Sequence, residues 1–293
     1  MNIWCSVISL LYAIGEKGNH RIIFLVYYAI GILILILSFY FKSINTWALH
    51  GKNLYMRAQK DETKTKSAFS KFKKKIDDTI ISKKYFKHFY VVGLVVNSLL
   101  LVHDLSQCSK IEKNALDCTS VTNVLLQIQL VRRLFEQLFI VRTTPKSAMH
   151  IFSYILGVTF YVVAPFSIYN NDRKKYTLVE LYPVTLFLLG TLIQHDTHLR
   201  LAKLRPKEEK KIYSPYKVPN GGFFYLVSCP HYFAEILIYL SFLLLNPNLI
   251  NLLNYTFVLL MLIKNGIQTH NWYLETARKE YPKQRRVIFP YIL

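Results

Sequence analysis

The apolar residues of this chain come in blocks of about 20, and the charged residues are crowded between those blocks. A helix of that length crosses the hydrocarbon core of a bilayer, where every backbone polar group has to be satisfied within the segment. Hydrophobic residues make up 52% of the 293 positions. Their arrangement constrains the fold more than their number does. The pattern predicts an all-α, polytopic membrane protein.

Seven segments have the length and apolar character of transmembrane helices. The third of them carries Arg132, Arg133 and Glu136. The predicted spans are 21–41, 88–105, 120–140, 149–169, 178–198, 223–245 and 249–273. The chain then divides into three parts, which are 1–87 with the first span and a basic loop, 88–175 with the middle helices, and 176–293.

The formal net charge is +20. In a soluble protein this would indicate nucleic-acid binding, but no recognition motif accompanies the charge, so basic loops beside an anionic membrane surface are the better interpretation. If the amino terminus lies outside the cytoplasm, the segments on the cytoplasmic side are 42–87, 141–148, 199–222 and 274–293. These segments hold most of the Lys and Arg residues, which predicts a cytoplasmic carboxyl terminus.

The cysteine spacing indicates no metal site, because none of the four cysteines forms a CxxC or Cys/His pattern. In the predicted topology, Cys108 and Cys118 share one luminal loop. An oxidising lumen permits a disulfide there, and two free thiols are the alternative.

Ionisable and polar side chains inside spans are costly, so each marks a candidate functional position. Gln194, His198 and Arg205 recur at i, i+4 and i+11, which places them within about 40° of one another around a helix. That face runs from an amide through an imidazole to a guanidinium, and it suits a dinucleotide with its ring deep and its phosphates shallow. A helix end emerging into water is the alternative.

The sixth span opens with a second polar pair. His231 and Glu235 lie on one helical face, and Pro230 suits the first turn of a helix. The turn at 219–222 contains two glycines, which let the backbone approach a ligand closely. A structural pair between helices is the alternative to a ligand site.

Two further polar groups complete the set. In the third span, Glu136 is spaced for ion pairs with Arg132 and Arg133, and either a structural pair or a substrate or cofactor role fits that spacing. The seventh span becomes polar towards its end, and a Tyr-Pro-Lys tail that can hold phosphates follows. The polar residues there are Asn265, Gln268, His270, Asn271, Tyr273, Tyr281, Arg285 and Arg286.

Residues 194–293 resemble the carboxy-terminal domain of the steroid 5α-reductase family. The motifs are Gln-x3-His-x6-Arg from Gln194, Pro-x-Gly-Gly from Pro219, and Val-Ser-x-Pro-His-Tyr-x-Ala-Glu from Val227. His-x2-Tyr and Tyr-Pro-Lys-x-Arg follow from His270 and Tyr281. Segments 84–90 and 131–139 and the Met-His-Ile stretch at 149–151 are similar to the polyprenol (polyprenal) reductase branch of that family.

The resemblance implies a seven-helix enzyme of the endoplasmic reticulum membrane that uses NADPH. Members of the branch saturate the α-isoprene double bond of polyprenal or polyprenol, which gives dolichal or dolichol for protein N-glycosylation. The middle helices would then face the polyisoprenoid substrate, and the carboxy-terminal part would bind NADPH. Carried over by position, the expected cofactor-binding residues are Gln194, His198, Arg205, His231, Glu235, His270, Tyr273, Tyr281 and Arg285.

The chain departs from the steroid enzymes in its expected proton donor. Steroid and enoyl-CoA reductases have a Tyr shortly before the basic pair of the third span, where this chain has Gln-Leu-Val at 129–131. Tyr154 and Tyr161 in the fourth span are the candidate replacements, and buried aromatic packing is the alternative for both. Asn265 also stands where steroid reductases have Arg.

The implied chemistry is conjugate reduction, in which hydride attacks the β-carbon of an α,β-unsaturated carbonyl and charge builds on the oxygen. A carbonyl provides that electron sink and an allylic alcohol does not, which favours polyprenal as the direct substrate. Steroid 5α-reductase and trans-2-enoyl-CoA reductase are alternatives. Others are an isoprenylcysteine-type methyltransferase and a non-catalytic lipid-binding protein. The sequence leaves the oligomeric state open.

Overall fold

The computed structural model describes residues 18–41, 79–109, 120–143, 147–169, 181–205, 217–277 and 280–292. Seven long helices lie within these residues, close to the seven predicted spans. They are α1 (Gly18–Tyr40), α2 (Phe86–Ser109), α3 (Val121–Phe135), α4 (Ile151–Ile168), α5 (Leu181–Lys203), α6 (Pro230–Leu245) and α7 (Leu249–Thr276). The choice between a Cys108–Cys118 disulfide and two free thiols falls outside what is described, because Cys118 and the side chain of Cys108 are not included.

Four of these helices are long and apolar enough to cross a membrane. The segments that satisfy this are Arg21–Tyr40, Lys83–Ser106, Ile151–Ile168 and Leu249–Thr276. Helix α6 is apolar but has only 16 residues. The structure is therefore mostly helical and has the character of a membrane protein, as the apolar blocks predicted.

The predicted start of the sixth span was wrong. Residues Gly222–Tyr225 form a short 3₁₀ helix, and α6 begins at Pro230. The backbone turns sharply at Gly221 (φ 81°) and Gly222 (φ 54°), which a continuous helix does not allow. Proline has no N–H and fits the first helical turn, so Pro230 marks the true beginning.

The predicted helical face of Gln194, His198 and Arg205 was also wrong at its last member. Helix α5 ends at Lys203, so Arg205 lies beyond it. Arg205 precedes Pro206, and the residue before a proline is disfavoured in the helical conformation.

A short antiparallel ladder was not predicted. Strand β1 (Ile80–Ser82) pairs with β2 (Ala148–His150), with Ile80 opposite His150. Three-residue strands are too short to show an alternating pattern in the sequence. Because β1 leads into α2 and β2 leads into α4, the ladder fixes the starts of these two helices together.

Close helix packing depends on two glycines. A Cβ at Gly190 of α5 would lie 2.8 Å from the carbonyl oxygen of Ala234 in α6. A Cβ at Gly31 of α1 would lie 2.8 Å from the ring of Phe257 in α7. Small residues at helix contacts are typical of membrane bundles, where they let two backbones approach.

Buried amides join α2, α3 and α4. The Asn97 side chain donates to the carbonyl oxygen of Asn123 over 2.9 Å. The Asn123 side chain donates to Asn97 Oδ1 over 2.6 Å and to the carbonyl oxygen of Pro165 over 3.3 Å. Both asparagines are fully buried. Hydrogen bonds of this kind hold membrane helices in register, and here they fix α3, which carries the charged residues described next.

Candidate active site

Polar side chains from five helices meet at one end of the bundle. They come from the amino-terminal ends of α2 and α6 and from the carboxy-terminal ends of α3, α5 and α7. An up-and-down helix order brings these ends together. Two connected groups of side chains result, one centred on α3 and one on the carboxy-terminal tail.

The first group surrounds Glu136, which is fully buried at the start of a π-helical turn, Glu136–Ile140, that continues α3. Arg133 donates to Glu136 Oε2 over 2.7 Å, and Arg132 donates to Oε1. The Nδ1 atoms of His195 and His198 lie 2.8 and 2.7 Å from the same carboxylate. We call these five residues the Glu136 cluster. A buried carboxylate needs such partners to offset its desolvation.

Tyr90 of α2 completes the coordination of Arg133. Arg133 Nη2 donates to the Tyr90 hydroxyl oxygen over 2.7 Å, and the guanidinium carbon lies 5.1 Å from the ring centroid. Tyr90 is 5% exposed. Sequence reasoning missed this residue as a site candidate, although it lies in the 84–90 segment that carried part of the resemblance. The sequence did contain one signal for such a residue. Arg133 is the second arginine of α3 beside Glu136, and its guanidinium needs a hydrogen-bond acceptor in addition to that carboxylate.

A layer of amides lies beside the Glu136 cluster. Gln194 donates to Glu235, and Arg132 donates both to Gln194 Oε1 and, over 2.7 Å, to Gln129 Oε1. Gln129 donates to Gln194 Oε1 over 3.2 Å. Two amides thus bridge a buried arginine of α3 to a carboxylate of α6. The structure brings together Gln194 and Glu235, which the sequence placed on different spans.

His231 joins the same region. Its carbonyl oxygen lies 3.4 Å from the donating amide nitrogen of Gln194, and its ring centroid is 5.9 Å from that of His198. The predicted residues of α5 and α6 therefore meet, with the exception of Arg205. The guanidinium of Arg205 donates to the carbonyl oxygen of Arg142, and Arg142 Nη1 donates to the carbonyl oxygen of Arg205 over 2.7 Å.

The second group holds the carboxy-terminal tail against α6 and α7. His270 Nδ1 lies 2.7 Å from Ser228 Oγ and 3.0 Å from the Tyr281 hydroxyl, and Ser228 and Tyr281 are themselves hydrogen-bonded. The Tyr273 and Tyr281 rings stack with centroids 5.3 Å apart. Arg285 Nη1 donates to the carbonyl oxygen of Pro219 over 3.0 Å. We call Ser228, His270, Tyr273, Tyr281 and Arg285 the tail cluster.

Backbone hydrogen bonds fix the tail in this position. Ser228 N donates to the Arg286 carbonyl oxygen over 2.8 Å, and Arg286 N donates to the Leu226 carbonyl oxygen over 2.9 Å. Burial raises the pKa of the Tyr281 phenol, and it lowers the pKa of the Arg285 guanidinium. The tail therefore belongs to the folded site, and it keeps the side chains of Tyr281 and Arg285 away from water.

The glycine turn rests against α5. Arg200 Nε donates to Asp196 Oδ2 over 2.7 Å, and a Cβ at Gly222 would lie 2.9 Å from that same oxygen. Both Gly221 and Gly222 have positive φ, which other residues rarely adopt. The turn thus spans from α5 to α6 at the end of the bundle where the two clusters lie.

The two tyrosines proposed as proton donors are placed differently. Tyr154 lies with its hydroxyl 2.9 Å from His88 Nδ1. Tyr161 packs edge-on against Tyr90, with ring centroids 5.5 Å apart. These contacts place Tyr161 next to the Glu136 cluster through Tyr90, while Tyr154 pairs with His88.

Two buried nitrogens indicate where a ligand would fit. Arg132 Nε and Arg285 Nε have no hydrogen-bond partner among the described residues. A buried guanidinium N–H without an acceptor is costly, and a phosphate or carboxamide oxygen would satisfy it. Beside the tail cluster lies an open cleft of about 710 Å³, lined by Leu274, Glu275, Tyr281 and Lys283. The two guanidinium donors fit an anionic, amide-bearing cofactor.

A family model described as 3-oxo-5-alpha-steroid 4-dehydrogenase matches residues 140–293, which is more than half of the chain. The chain is 28% identical over 257 residues to polyprenal reductase of Caenorhabditis elegans, covering 74% of this chain and 81% of that protein. It is 30% identical over 250 residues to polyprenal reductase of Xenopus laevis, covering 72% and 77%. It is 28% identical over 265 residues to polyprenal reductase 1 of Arabidopsis thaliana, covering 72% and 81%. The chain therefore belongs to the 3-oxo-5-alpha-steroid 4-dehydrogenase family, the steroid 5α-reductase family that its motifs indicated.

Proposed function

We propose that this chain is an NADPH-dependent polyprenal reductase. It saturates the α-isoprene double bond of polyprenal and gives dolichal, on the route to dolichol for protein N-glycosylation. The observation that carries the proposal is the buried, hydrogen-bonded group of Tyr90, the Glu136 cluster, Gln194 and Glu235. It occurs in a chain whose relatives, over nearly three quarters of its length, are named polyprenal reductases.

The proposed membrane arrangement has seven spans, with α3, α5 and α6 added to the four helices that are long and apolar enough to cross by themselves. The polar ends of these three helices gather at one end of the bundle. Lys and Arg residues concentrate in the segments between spans on that same side, which supports a cytoplasmic position for this end and for the carboxyl terminus. The endoplasmic reticulum membrane is the proposed location.

The proposed cofactor site joins the two clusters. Gln194 and Glu235 offer an amide and a carboxylate, which complement the carboxamide of the nicotinamide ring. Arg285 offers a buried N–H for a phosphate oxygen, and Arg205 is a second candidate at the phosphates. The remaining proposed contacts come from His198, His231, His270, Tyr273 and Tyr281. When bound, NADPH supplies the hydride that adds to the β-carbon of the substrate.

The residues of the site have three tasks in this reaction. They hold the nicotinamide and the enal together, they exclude water, and they stabilise the negative charge that develops on the carbonyl oxygen. A buried group with paired charges performs the last task well, because its dipoles need no rearrangement when the charge appears. Of the two tyrosines predicted from sequence, Tyr161 has the supporting contact, through the ring of Tyr90.

The experiment that tests the function uses the purified full chain in detergent with NADPH. Four substrates are compared, namely polyprenal, polyprenol, a 3-oxo-4-ene steroid and a trans-2-enoyl-CoA. We expect NADPH oxidation and a saturated aldehyde product with polyprenal alone. Reduction of the steroid or the enoyl-CoA in preference to polyprenal would move the assignment to the alternative enzymes of the family.

Direct binding provides the second measurement. NADPH titration, followed by its fluorescence, should show saturation and a lower Kd than for NADH. Glu235→Gln should weaken that binding, because it removes the carboxylate that faces Gln194. Glu280→Gln is the matched control, since Glu280 is exposed. If neither nucleotide binds to the wild-type protein, the proposed function is wrong.

A further inference from the structure

We propose that Tyr90 is the acid that protonates the carbonyl oxygen of the substrate. This inference rests on the proposed function and assigns its proton-donating residue. The sequence motifs did not identify Tyr90, and its position on α2 differs from the place before the basic pair of α3 where the steroid enzymes have their tyrosine.

The hydrogen-bond geometry leaves the proton of Tyr90 available. Arginine is only a donor, so in the contact between Arg133 and Tyr90 the phenolic oxygen accepts, over 2.7 Å. Among the described residues, no acceptor is found for the hydroxyl proton of Tyr90. A buried O–H without an acceptor is unfavourable, and a carbonyl oxygen of a bound substrate would satisfy it.

Arg133 favours the state of Tyr90 that remains after the proton is given. Arg133 contacts both the hydroxyl and the ring face of Tyr90, and it therefore stabilises a phenolate at that position. Glu136 holds Arg133 in place over 2.7 Å, and His198 Nδ1 lies 2.7 Å from the same carboxylate oxygen. The cation that assists Tyr90 is thus fixed before substrate arrives, which is the arrangement that general acid catalysis requires.

The other tyrosines of the region lack this hydrogen bond to Arg133. The Tyr154 hydroxyl is paired with His88. Tyr161 packs between Tyr90 and Phe160, and none of its described hydrogen bonds is to a cation. Tyr239 is buried against Phe160 and Phe242 in the apolar core. Among the described tyrosines beside the Glu136 cluster, Tyr90 is the one hydrogen-bonded to a guanidinium; Tyr281, which contacts Arg285, has its hydroxyl bonded to Ser228 and His270 in the tail cluster.

Tyr90 is also connected to the proposed nicotinamide position. Arg132 donates both to Glu136 and to Gln194, and Gln194 donates to Glu235. The acid and the residues proposed to hold the carboxamide therefore belong to one continuous hydrogen-bonded group. If the carbonyl oxygen of the substrate lies beside Tyr90, the rest of the enal can extend towards Gln194 and Glu235.

Proton transfer from Tyr90 accompanies the addition of hydride. When the β-carbon accepts hydride, the electron pair of the C=C bond forms a double bond between the α-carbon and the carbonyl carbon, and the carbonyl pair moves to oxygen. The O–H bond of Tyr90 breaks and the O–H bond of an enol forms. The α-carbon then takes a proton from water, the enol proton returns to the Tyr90 oxygen, and the saturated aldehyde remains. The net reaction consumes one proton from solvent.

The test compares Tyr90→Phe with the wild-type protein and with Tyr27→Phe. Tyr27 is the matched control, because its hydroxyl also makes one side-chain hydrogen bond, to Thr159 over 3.1 Å, away from the site. We expect Tyr90→Phe to lower kcat with polyprenal by about 10²- to 10⁴-fold, the range for loss of a general acid. The NADPH Kd, the KM for polyprenal and the midpoint of thermal unfolding should stay close to those of wild type.

Three results would overturn the proposal. The first is a kcat for Tyr90→Phe within a few-fold of wild type. The second is an NADPH Kd that rises by the same factor as kcat falls, or an unfolding midpoint far below that of wild type. Either result indicates a structural role. The third is a large kcat loss in Tyr161→Phe with none in Tyr90→Phe. Failure of the proposed function would look different, because the wild-type protein itself would then leave polyprenal unreduced.

Discussion

The Glu136 cluster and the tail cluster pair their buried polar side chains in different ways. In the Glu136 cluster, residues of two helices pair their charges with one another, and the carboxylate is saturated by two arginines and two histidines. In the tail cluster, neutral hydroxyls and an imidazole bond to each other, and Arg285 keeps a buried Nε without a partner in the described residues. Each cluster keeps one buried guanidinium N–H without a partner among the described residues, Arg132 Nε in the first and Arg285 Nε in the second, but only the first also balances its charges internally.

Because of this difference, we expect substitutions in the two clusters to affect different properties of the protein. A change in the Glu136 cluster strands a buried charge and should damage the fold as well as the reaction. A change in the tail cluster should mainly alter cofactor affinity, because the tail is also held by backbone hydrogen bonds to residues 226–228. Three substitutions test whether the two regions behave so differently.

The largest effect is expected from Glu136→Gln. The amide cannot balance Arg132 and Arg133, and breaking a buried charge pair by removing one partner costs about 3–5 kcal/mol. The measurement is thermal unfolding of the purified protein in detergent. Asp196→Asn is the control, because its pair with Arg200 is exposed and contributes little to stability. Equal destabilisation by the two substitutions would remove the distinction between buried and exposed pairs here.

An intermediate effect is expected from Arg285→Lys. Lysine keeps the charge but loses the fork of N–H groups, and charge-assisted hydrogen bonds of this kind are worth about 1.5–3 kcal/mol. The NADPH Kd should rise by about 10- to 100-fold. The unfolding midpoint should change little, since the tail backbone is still held. Unchanged NADPH affinity would show that the buried Nε of Arg285 does not face the cofactor.

The smallest effect is expected from Gly222→Ala, in the turn between α5 and α6. The new Cβ would lie 2.9 Å from Asp196 Oδ2, at a residue with φ of 54°. A strained backbone of this kind costs about 1 kcal/mol. The unfolding midpoint should fall slightly and the NADPH Kd should rise modestly. A gain in stability would mean that the turn adapts freely, and the two clusters would then not depend on its conformation.

The sequence predicted the helices well because about 20 apolar residues in a row have few alternatives. The predicted helix boundaries were wrong where local backbone chemistry determines them. Helix α6 begins only at Pro230, and α5 ends at Lys203, before Arg205. The two three-residue strands were not predicted from the sequence. Helical spacing did predict the ion pairs of Glu136 with Arg132 and Arg133, and these are confirmed as contacts.

The candidate site was predictable only in part. Helical faces grouped His198 with Gln194 and His231 with Glu235, because residues four apart share a face. The contact between Tyr90 and Arg133 joins residues 43 positions apart on two helices, and periodicity within one helix carries no information about it. The packing of α2 against α3 decided that contact. The functional roles assigned to these residues stay predictions until the substitutions are measured.

The short ladder of β1 and β2 has a consequence for how this protein can tolerate changes in length. Its register sets where α2 begins, and Tyr90 follows β1 after only one turn of 3₁₀ helix and the first residues of α2. A length change before β1 leaves the ladder register and the number of residues from β1 to Tyr90 unchanged. The same change made between β1 and Tyr90 would rotate the phenol away from Arg133.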